Sequence, residues 1–264
     1  MTPLRLTLEY DGTGFKGWAR QPGQRTIEGV LREALSVVLP RWERLAVAGR
    51  TDAGVHATGQ VASLAAEDGP PLERLAEALN TELPADVAVV AAERAASGFH
   101  ARYSATARSY RYVVHAAPER APLRARRALW WPRPLDEETL HACAAALPGE
   151  HDFTAFTPAE TEHEVLRRTV SAAAWARRGD ELHFTVTANS FLRHMVRTLV
   201  GTMLETERET FEGLLDGSPR SEAGATAPPW GLYLERVEYG ASAGRNPDSL
   251  DGVVGTCDGS SFPL

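Results

Sequence analysis

The sequence is poor in the residues that build disulfide frameworks, metal clusters and membrane spans. Its 264 residues include two cysteines, Cys143 and Cys257, which are too few and too far apart to indicate a disulfide framework or a zinc site. No apolar run approaches the roughly 20 residues of a membrane-spanning helix, and the N-terminal MTPLRLTLEYDG lacks the pattern of a secretory signal. We therefore expect no membrane association and a reducing, cytoplasmic location.

Lysine is nearly absent as well: Lys16 stands beside 27 arginines, and the net charge of −7 argues against a nucleic-acid partner. The distribution of charge argues the other way. Residues 94–133 hold nine arginines and a single acid, Glu119, so this segment carries about +8 and the remainder about −15. Interleaved with them are tyrosines and tryptophans, namely Tyr103, Tyr110, Tyr112, Trp130 and Trp131. This mixture is typical of a surface that binds phosphates and stacks bases, so we favour a polyanion-binding face over an ordinary solvated surface.

A glycine pattern near the N-terminus has the form of a dinucleotide-binding loop. Gly12, Gly14 and Gly17 in LEYDGTGFKGW spell G-x-G-x-x-G after an apolar run. That motif binds a pyrophosphate only where the loop opens a helix. Here Pro22 and Gly23 interrupt the chain first. The pattern therefore does not indicate a dinucleotide cofactor, and the glycines must have another purpose.

Hydrophobic periodicity predicts a ferredoxin-like unit in the first part of the chain. The predicted elements are a strand over 4–10, a helix over 27–38, strands over 45–49 and 60–64, a helix over 72–79 and a strand over 87–91. The order strand, helix, two strands, helix, strand is that of a ferredoxin-like α+β unit.

The second part contains elements of the same kinds. The patterns predict a strand over 109–115, a helix over 135–147, a hairpin of strands over 170–176 and 182–186, a helix over 192–203 and a strand over 232–239. We place an N-terminal half over residues 1–102 and a C-terminal half over 103–240. Residues 241–264 are rich in Gly, Ser, Asp and Pro, which predicts a flexible tail.

The segment AGRTDAGVHATGQ, residues 48–60, has the features of a reactive carboxylate. Arg50 and Asp52 follow a predicted strand, and alternation on an extended chain puts both side chains on one face. A guanidinium beside the carboxylate keeps Asp52 ionised, which is the state needed for nucleophilic attack. A structural Arg–Asp pair that holds a turn explains the same residues equally well. The spacing alone leaves both interpretations open.

This segment resembles the signature of the TruA-type tRNA pseudouridine synthases. Further segments match that family in its order: YDGTGFKGWARQ, RTIEGVLREAL, LNTELPADV, FHARYSATARSYRYVV, GEHDFTAFT, NSFLRHMVRTLVGTML and APPWGLYLERVEY. The resemblance extends from about residue 4 to residue 240. It implies an α+β pseudouridine synthase fold, in which two ferredoxin-like, RRM-like halves are joined through a central, mainly antiparallel mixed sheet, with a basic catalytic cleft between them.

The resemblance also implies the reaction, the isomerisation of uridine to pseudouridine in the anticodon stem-loop of tRNA at positions 38, 39 and 40. It makes Asp52 the nucleophile, with attack at C1′ of the ribose or at C6 of the base left open. The target base must be flipped out of its stem. We expect Arg50 to occupy the vacated space or contact phosphate, and Tyr110 to stack on the flipped uracil and help to move the C5 proton. No cofactor is implied.

Further binding residues follow from the same resemblance and from position. Leu232 matches a family residue that packs beneath the base. Arg193 and Arg197, four residues apart on the predicted helix, are expected to contact phosphate, although a solvated helix face is the simpler explanation. The loop YDGTGFKGW, with Gly12, Gly14 and Lys16, belongs to the tRNA-binding side of the cleft, where the glycines are expected to let RNA approach the backbone.

Two other functions compete with the isomerase. A tRNA-binding protein without chemistry would keep the arginines and dispense with the nucleophile, and the intact Arg50-Thr51-Asp52 weighs against it. A metal-assisted hydrolase would use His56, His100, and His151 with Asp152, but neither a helical histidine pair nor a cysteine cluster supports a metal site. The family also implies a homodimer in which one tRNA contacts both subunits.

Overall fold

The computed structural model describes residues 1–161 and 164–240, and within these residues ten strands form a single sheet. The N-terminal half contains β1 (Thr2–Tyr10), α1 (Ile27–Val38), β2 (Arg41–Val47), β3 (His56–Glu67), α2 (Leu72–Glu82) and β4 (Val87–Arg94). The C-terminal half contains β5 (Ala105–His115), β6 (Leu129–Trp130), α3 (Glu137–Ala145), β7 (Gly149–Asp152), β8 (Arg167–Arg178), β9 (Glu181–Ala188), α4 (Met195–Met203), α5 (Arg208–Gly213) and β10 (Leu232–Tyr239).

Both halves have the ferredoxin-like strand order, which confirms the predicted fold class. The sheet runs β4-β1-β3-β10-β5-β9-β8-β7, and β2 pairs with the outer part of β3. The four strands of each motif are numbered by their order along the chain. In the sheet they lie side by side in the order 4-1-3-2, which is β4-β1-β3-β2 in the first half and β10-β5-β9-β8 in the second. The pairings are antiparallel except for β3 with β10 and β5 with β6. The result is one mixed sheet shared by two repeats of the same topology.

The two halves are joined by a short seam between β3 and β10. His56 lies beside Tyr233 and Ala57 beside Leu234 in a parallel pairing. Next to the seam, a Cβ atom on Gly59 would lie 2.1 Å from the carbonyl oxygen of Glu235. Since no side chain fits in that space, glycine is what allows the two backbones to approach so closely.

The helices follow from capping residues and apolar stripes. Thr26 caps α1 by accepting a hydrogen bond from the N–H of Gly29, and α1 buries Ile27, Leu31 and Leu35. Asp136 caps α3 in the same way. Among the described residues, no helix combines the length and the apolar character needed to cross a bilayer.

Several boundaries differ from the sequence predictions for identifiable reasons. The strand predicted over 45–49 is β2, which ends at Val47, so Arg50 and Asp52 lie in a loop. The helix predicted over 192–203 begins at Met195, because His194 has a left-handed φ of 62°, which does not continue a right-handed helix. The elements β6, β7 and α5 are too short to show a period. The predicted tail, 241–264, lies outside the described residues, and the division at residue 102 stays a prediction.

Candidate active site

Six of the predicted site residues line one cleft between the halves. These are Arg50, Asp52, Tyr110, Arg193, Arg197 and Leu232. They come from the loop before β3, from β5, from the segment that leads into α4, from α4 and from the first residue of β10. The sheet order explains the convergence, since β3, β10 and β5 are successive neighbours.

The cationic partner of Asp52 is Arg197 and not Arg50. Nη1 of Arg197 lies 3.2 Å from Oδ2 of Asp52, and Nε of Arg197 donates a hydrogen bond of 2.8 Å to the carbonyl of Ala227. Arg50 is exposed and forms no ion pair with any described residue. The prediction of an Arg50–Asp52 pair was wrong because it assumed a strand, whereas residues 50–54 form a loop without alternation.

The two oxygens of the Asp52 carboxylate have different surroundings. Oδ2 lies near both Arg197 and Nε2 of His194, the latter at 3.5 Å. Oδ1 accepts no hydrogen bond from the described residues. Burial lowers the pKa of His194; Asp52 opposes that shift and Arg197 reinforces it. One oxygen is therefore held by cationic and polar neighbours, and the other is available to a substrate.

The two arginines near the start of α4 differ in exposure, and a solvated helix face does not describe Arg197. The side chain of Arg197 is 13% exposed and points to Asp52 from within α4. Arg193 is exposed and lies before the helix starts. Arg197 therefore belongs to the interior of the site, and Arg193 to its rim.

Tyr110 lies in the cleft as predicted and is buried. Its ring meets Phe191 edge-to-face, with centroids 5.0 Å apart. Burial, reinforced by the nearby Tyr10 and by the negative charge of Asp52, raises the pKa of the Tyr110 hydroxyl far above its ordinary value. The hydroxyl therefore stays protonated at neutral pH and is able to donate a hydrogen bond to a substrate. Tyr112, on the same face of β5, is core: its hydroxyl donates to the carbonyl of Pro228.

The glycine-rich loop near the N-terminus supports the loop that carries Asp52. A Cβ atom on Gly12 would lie 2.0 Å from the carbonyl oxygen of Val55, and Gly17 has a φ of 92° and packs against the carbonyl of Thr51. The N–H of Trp18 also donates to the Thr51 carbonyl, at 3.0 Å. The expectation that these glycines admit RNA is therefore wrong for Gly12, which is buried against the protein's own backbone.

The other predicted residues of that loop lie outside the cleft lining. Gly14 and Lys16 are exposed, and neither lines the cleft. A Cβ atom on Gly14 would approach only the end of the Arg25 side chain, at 3.0 Å. Their assignment to the tRNA-binding side stays a prediction.

The cleft is small and includes residues that the sequence analysis missed. Its volume is about 60 Å³, which at roughly 10–15 Å³ per water is room for a few water molecules. Val55, Phe191 and His194 also line the cleft. The left-handed backbone of His194 has no signature in the sequence, but its place between Arg193 and Arg197 was a usable signal.

Several arginines of the basic segment 94–133 are buried or paired with carboxylates, so fewer of them are free than the sequence suggests. Arg108 is buried and donates to backbone carbonyls, so it is not a phosphate contact. Four others are paired with carboxylates from other parts of the chain: Arg111 with Glu235, Arg124 with Glu181, Arg127 with Asp11 and Arg133 with Glu205. The net charge of the segment thus overstates the free cationic surface, which includes the exposed Arg120 and Arg126.

The histidines considered for a metal site have structural contacts instead. Nδ1 of His56 accepts a hydrogen bond from the N–H of Gly12, and Nδ1 of His100 accepts from two backbone N–H groups. His151 packs edge-to-face on Phe153. Over residues 1–161 and 164–240, no three histidine, cysteine or acidic side chains are grouped so that they could hold a metal ion.

Comparison with known proteins identifies the family. The sequence model of a family described as tRNA pseudouridine synthase matches residues 7–104 and 143–240. The chain is 39% identical over 244 residues to the tRNA pseudouridine synthase A of Hydrogenovibrio crunogenus, covering 90% of this chain and 93% of that protein. It is 42% identical to that of Moorella thermoacetica (90% and 100% covered) and 39% identical to that of Bacillus subtilis (89% and 98% covered). A solved Cbf5-Nop10-Gar1 complex overlaps 87% of this chain and 57% of the matched chain at 11% identity and a TM-score of 0.35, which is too distant to carry an argument.

Proposed function

Because the chain belongs to the tRNA pseudouridine synthase family and isomerises uridine to pseudouridine in tRNA, we propose that Asp52 is the carboxylate that performs the reaction. The observation that carries this proposal is the asymmetry of its oxygens. Arg197 holds Oδ2, and within the described residues Oδ1 has no hydrogen-bond partner. An ionised oxygen without a partner, at the base of a cleft, is suited to attack a carbon atom of the substrate.

The reaction breaks the N1–C1′ bond, turns the base and joins C5 to C1′; C5 loses its proton and N1 gains one, so the composition is unchanged. Attack of Oδ1 at C1′ releases the base with the electron pair of the broken bond, whereas attack at C6 first forms an adduct with the base. Both routes use one carboxylate oxygen and one cation to stabilise the other oxygen. The rearrangement involves no net oxidation and no group from outside, so we expect it to need no cofactor.

The remaining cleft residues bind the everted uridine in this proposal. Taking a base out of its stack costs a few kcal/mol. The Tyr110 ring stacks on the uracil, and its hydroxyl, whose pKa burial raises, is protonated at rest and helps to move the C5 proton. Leu232 packs below the ring, and the exposed Arg50 and Arg193 contact phosphates at the rim.

Three further points extend the proposal beyond the family level. We infer that the targets lie at positions 38, 39 and 40 of the anticodon stem-loop, that the active form is a homodimer and that it works in the cytoplasm. The sequence resemblance supports the first two. The low cysteine content supports the third; Cys143 is a buried free thiol whose pKa burial raises to about 11.

The experiment that tests the proposal is a turnover assay with position mapping. Purified protein is incubated with unmodified tRNA transcript, and pseudouridine is mapped along the chain. Asp52→Asn should lower the single-turnover rate by more than about 1000-fold and leave tRNA affinity within a few fold. Asp180→Asn is the matched control, since Asp180 is an exposed carboxylate outside the cleft lining. Conversion by Asp52→Asn at near the wild-type rate would show that another group performs the reaction.

A further inference from the structure

Tyr103 is a large aromatic side chain that the structure leaves in solvent. Its side chain is 77% exposed. The His100 ring lies 4.4 Å from the Tyr103 ring, with their planes 32° apart, and the guanidinium of Arg102 lies 5.6 Å from the ring centroid. A single exposed aromatic residue is ordinary. The rigidity of the loop that carries Tyr103 distinguishes it.

The loop between β4 and β5 is tied to the sheet on both sides of Ala101. The N–H of Ala101 donates to Oγ of Ser63 at 3.0 Å, and its carbonyl accepts from the hydroxyl of Tyr239 at 2.9 Å. Ala101 itself is fully buried. The backbone two residues before Tyr103 is therefore fixed to β3 and β10.

The imidazole of His100 fixes the turn itself. Its Nδ1 accepts hydrogen bonds from the N–H of Arg102 and the N–H of Tyr103, at 3.1 and 3.3 Å. The N–H of His100 donates to Oγ of Ser104 at 3.0 Å. A histidine that is committed to its own turn fixes the backbone that carries the tyrosine, and its ring packs against the tyrosine ring.

A buried arginine connects this turn to the cleft. Nη2 of Arg108 donates to the carbonyl of Arg102 at 2.7 Å and to the carbonyl of Ala48 at 3.0 Å, and Nη1 donates to the carbonyl of Asn189 at 2.9 Å. Ala48 leads into the loop of Asp52, and Asn189 leads into the segment of Arg193. The position of Tyr103 is thus set relative to both walls of the cleft.

The charges around Tyr103 and at the rim of the cleft suit the binding of a polyanion. Arg50 and Arg193 at the rim and Arg102 beside the tyrosine are exposed, and none of them forms an ion pair with a described residue. Arg108 adds a buried positive charge with no carboxylate partner among the described residues. An exposed ring beside unpaired arginines matches the way single-stranded nucleic acid is bound, by stacking and by phosphate contacts.

We propose that Tyr103 is a stacking platform for an unpaired base of the tRNA next to the everted uridine, with Arg102 on the adjoining phosphate. This inference rests on the proposed function, because the cleft must receive an everted uridine for a neighbouring base to reach Tyr103. The platform is built before binding, so little conformational entropy is lost when the base stacks. Stacking is tolerant of sequence, which suits target uridines at three positions with different neighbouring bases.

The test compares tRNA affinity and its salt dependence in three variants. Tyr103→Ala should weaken affinity for unmodified tRNA transcript by roughly five- to 150-fold, and Tyr103→Phe should stay within about twofold because the ring is retained. Tyr103→Ala should leave the slope of log K against log salt unchanged, whereas Arg102→Gln should lower it by about 0.7 to 0.9. The melting temperature of Tyr103→Ala should not change, since the side chain is exposed.

The outcomes separate this inference from the catalytic one. With protein in saturating excess, Tyr103→Ala should still convert uridine, because it keeps Asp52, whereas Asp52→Asn should bind tRNA and fail to convert it. Unchanged tRNA affinity in Tyr103→Ala overturns the platform and leaves the role of Asp52 intact. If light scattering shows that Tyr103→Ala lowers the mass of the particle while tRNA affinity is unchanged, the ring binds a second copy of the chain, and the inference is likewise overturned.

Discussion

Arg197 and Asp52, 145 residues apart in the chain, meet through a single contact of 3.2 Å between Nη1 and Oδ2. The guanidinium is itself anchored, because its Nε donates to the carbonyl of Ala227. The side chain of Asp52 is one-third exposed, so water screens the pair and its contribution to folding stability is small. The contact matters chiefly because it leaves one carboxylate oxygen for chemistry.

The first prediction concerns this contact. Arg197→Gln should lower the single-turnover rate of pseudouridine formation by about tenfold to a hundredfold, since a hydrogen bond to a charged group contributes about 1.5 to 3 kcal/mol. Arg197→Lys should recover part of the loss by keeping the charge. Arg193→Gln is the control: it should weaken tRNA binding without changing the rate at saturation. A wild-type rate in Arg197→Gln would contradict the role given to the pair.

The second prediction concerns the glycine motif. Gly12→Ala should lower the free energy of unfolding by about 1 to 3 kcal/mol or more, because the new methyl group meets the Val55 carbonyl and the backbone must shift. The same shift should reduce activity through the neighbouring loop of Asp52. Gly14→Ala places its methyl group 3.0 Å from the end of the Arg25 side chain and meets no backbone atom, so it should lower both quantities much less. Equal stability of the two variants in urea denaturation would contradict this explanation of the motif.

The third prediction separates free from neutralised arginines in the basic segment. Arg126 is exposed and has no carboxylate partner among the described residues, while Nη2 of the adjacent Arg127 lies 2.7 Å from Oδ2 of Asp11. Arg126→Gln should reduce the slope of log K for tRNA against log salt by about 0.7 to 0.9. Arg127→Gln should reduce it less, because Asp11 already compensates that charge. A larger effect from Arg127 would place the RNA on the other side of the loop.

The fourth prediction concerns pH and His56. Burial lowers the pKa of His56, with Asp11 opposing the shift and Arg127 reinforcing it. Its ring accepts from Gly12, and its Nε2 lies 2.9 Å from the carbonyl of Arg126. The unfolded chain therefore binds a proton near pH 6.5 that the folded chain does not, and stability present above that pH is lost as the pH falls.

The measurement is the free energy of unfolding against pH between 7 and 5. In His56→Gln the slope should be flatter by up to about 1.4 kcal/mol per pH unit. A residual slope is expected, because burial also lowers the pKa values of His183 and His194. Parallel curves for the variant and the wild type would show that His56 takes up its proton equally in both states.

The elements that could be predicted from the sequence are those with local signals. Two β-α-β-β-α-β patterns could be predicted because apolar residues recur every two residues in the strands and about every 3.6 residues in the helices. The loop of Asp52 was visible because its glycines, cation and acid lie within a few residues of one another. Leu232 and Tyr110 were found through resemblance, and the structure brings both to the cleft.

The contacts that could not be predicted are those that depend on tertiary placement. Arg50 was chosen as the partner of Asp52 because it is near in sequence, whereas Arg197 reaches it only after β10 and α4 have packed. Arg108 and Arg126 look alike in a charge count, yet the first is buried under four carbonyls and the second is exposed. A count of charge along the chain contains no information on what faces each side chain.

The short seam between β3 and β10 determines how far the chain can be divided. Asp52 belongs to one side of it, and Arg197 and Tyr110 belong to the other. A fragment ending after β4 would retain Asp52 without Arg197 and would expose the backbone of β3 that Leu234 normally covers, an edge prone to aggregate. Activity is therefore indivisible between the two repeats, although each has a complete topology of its own.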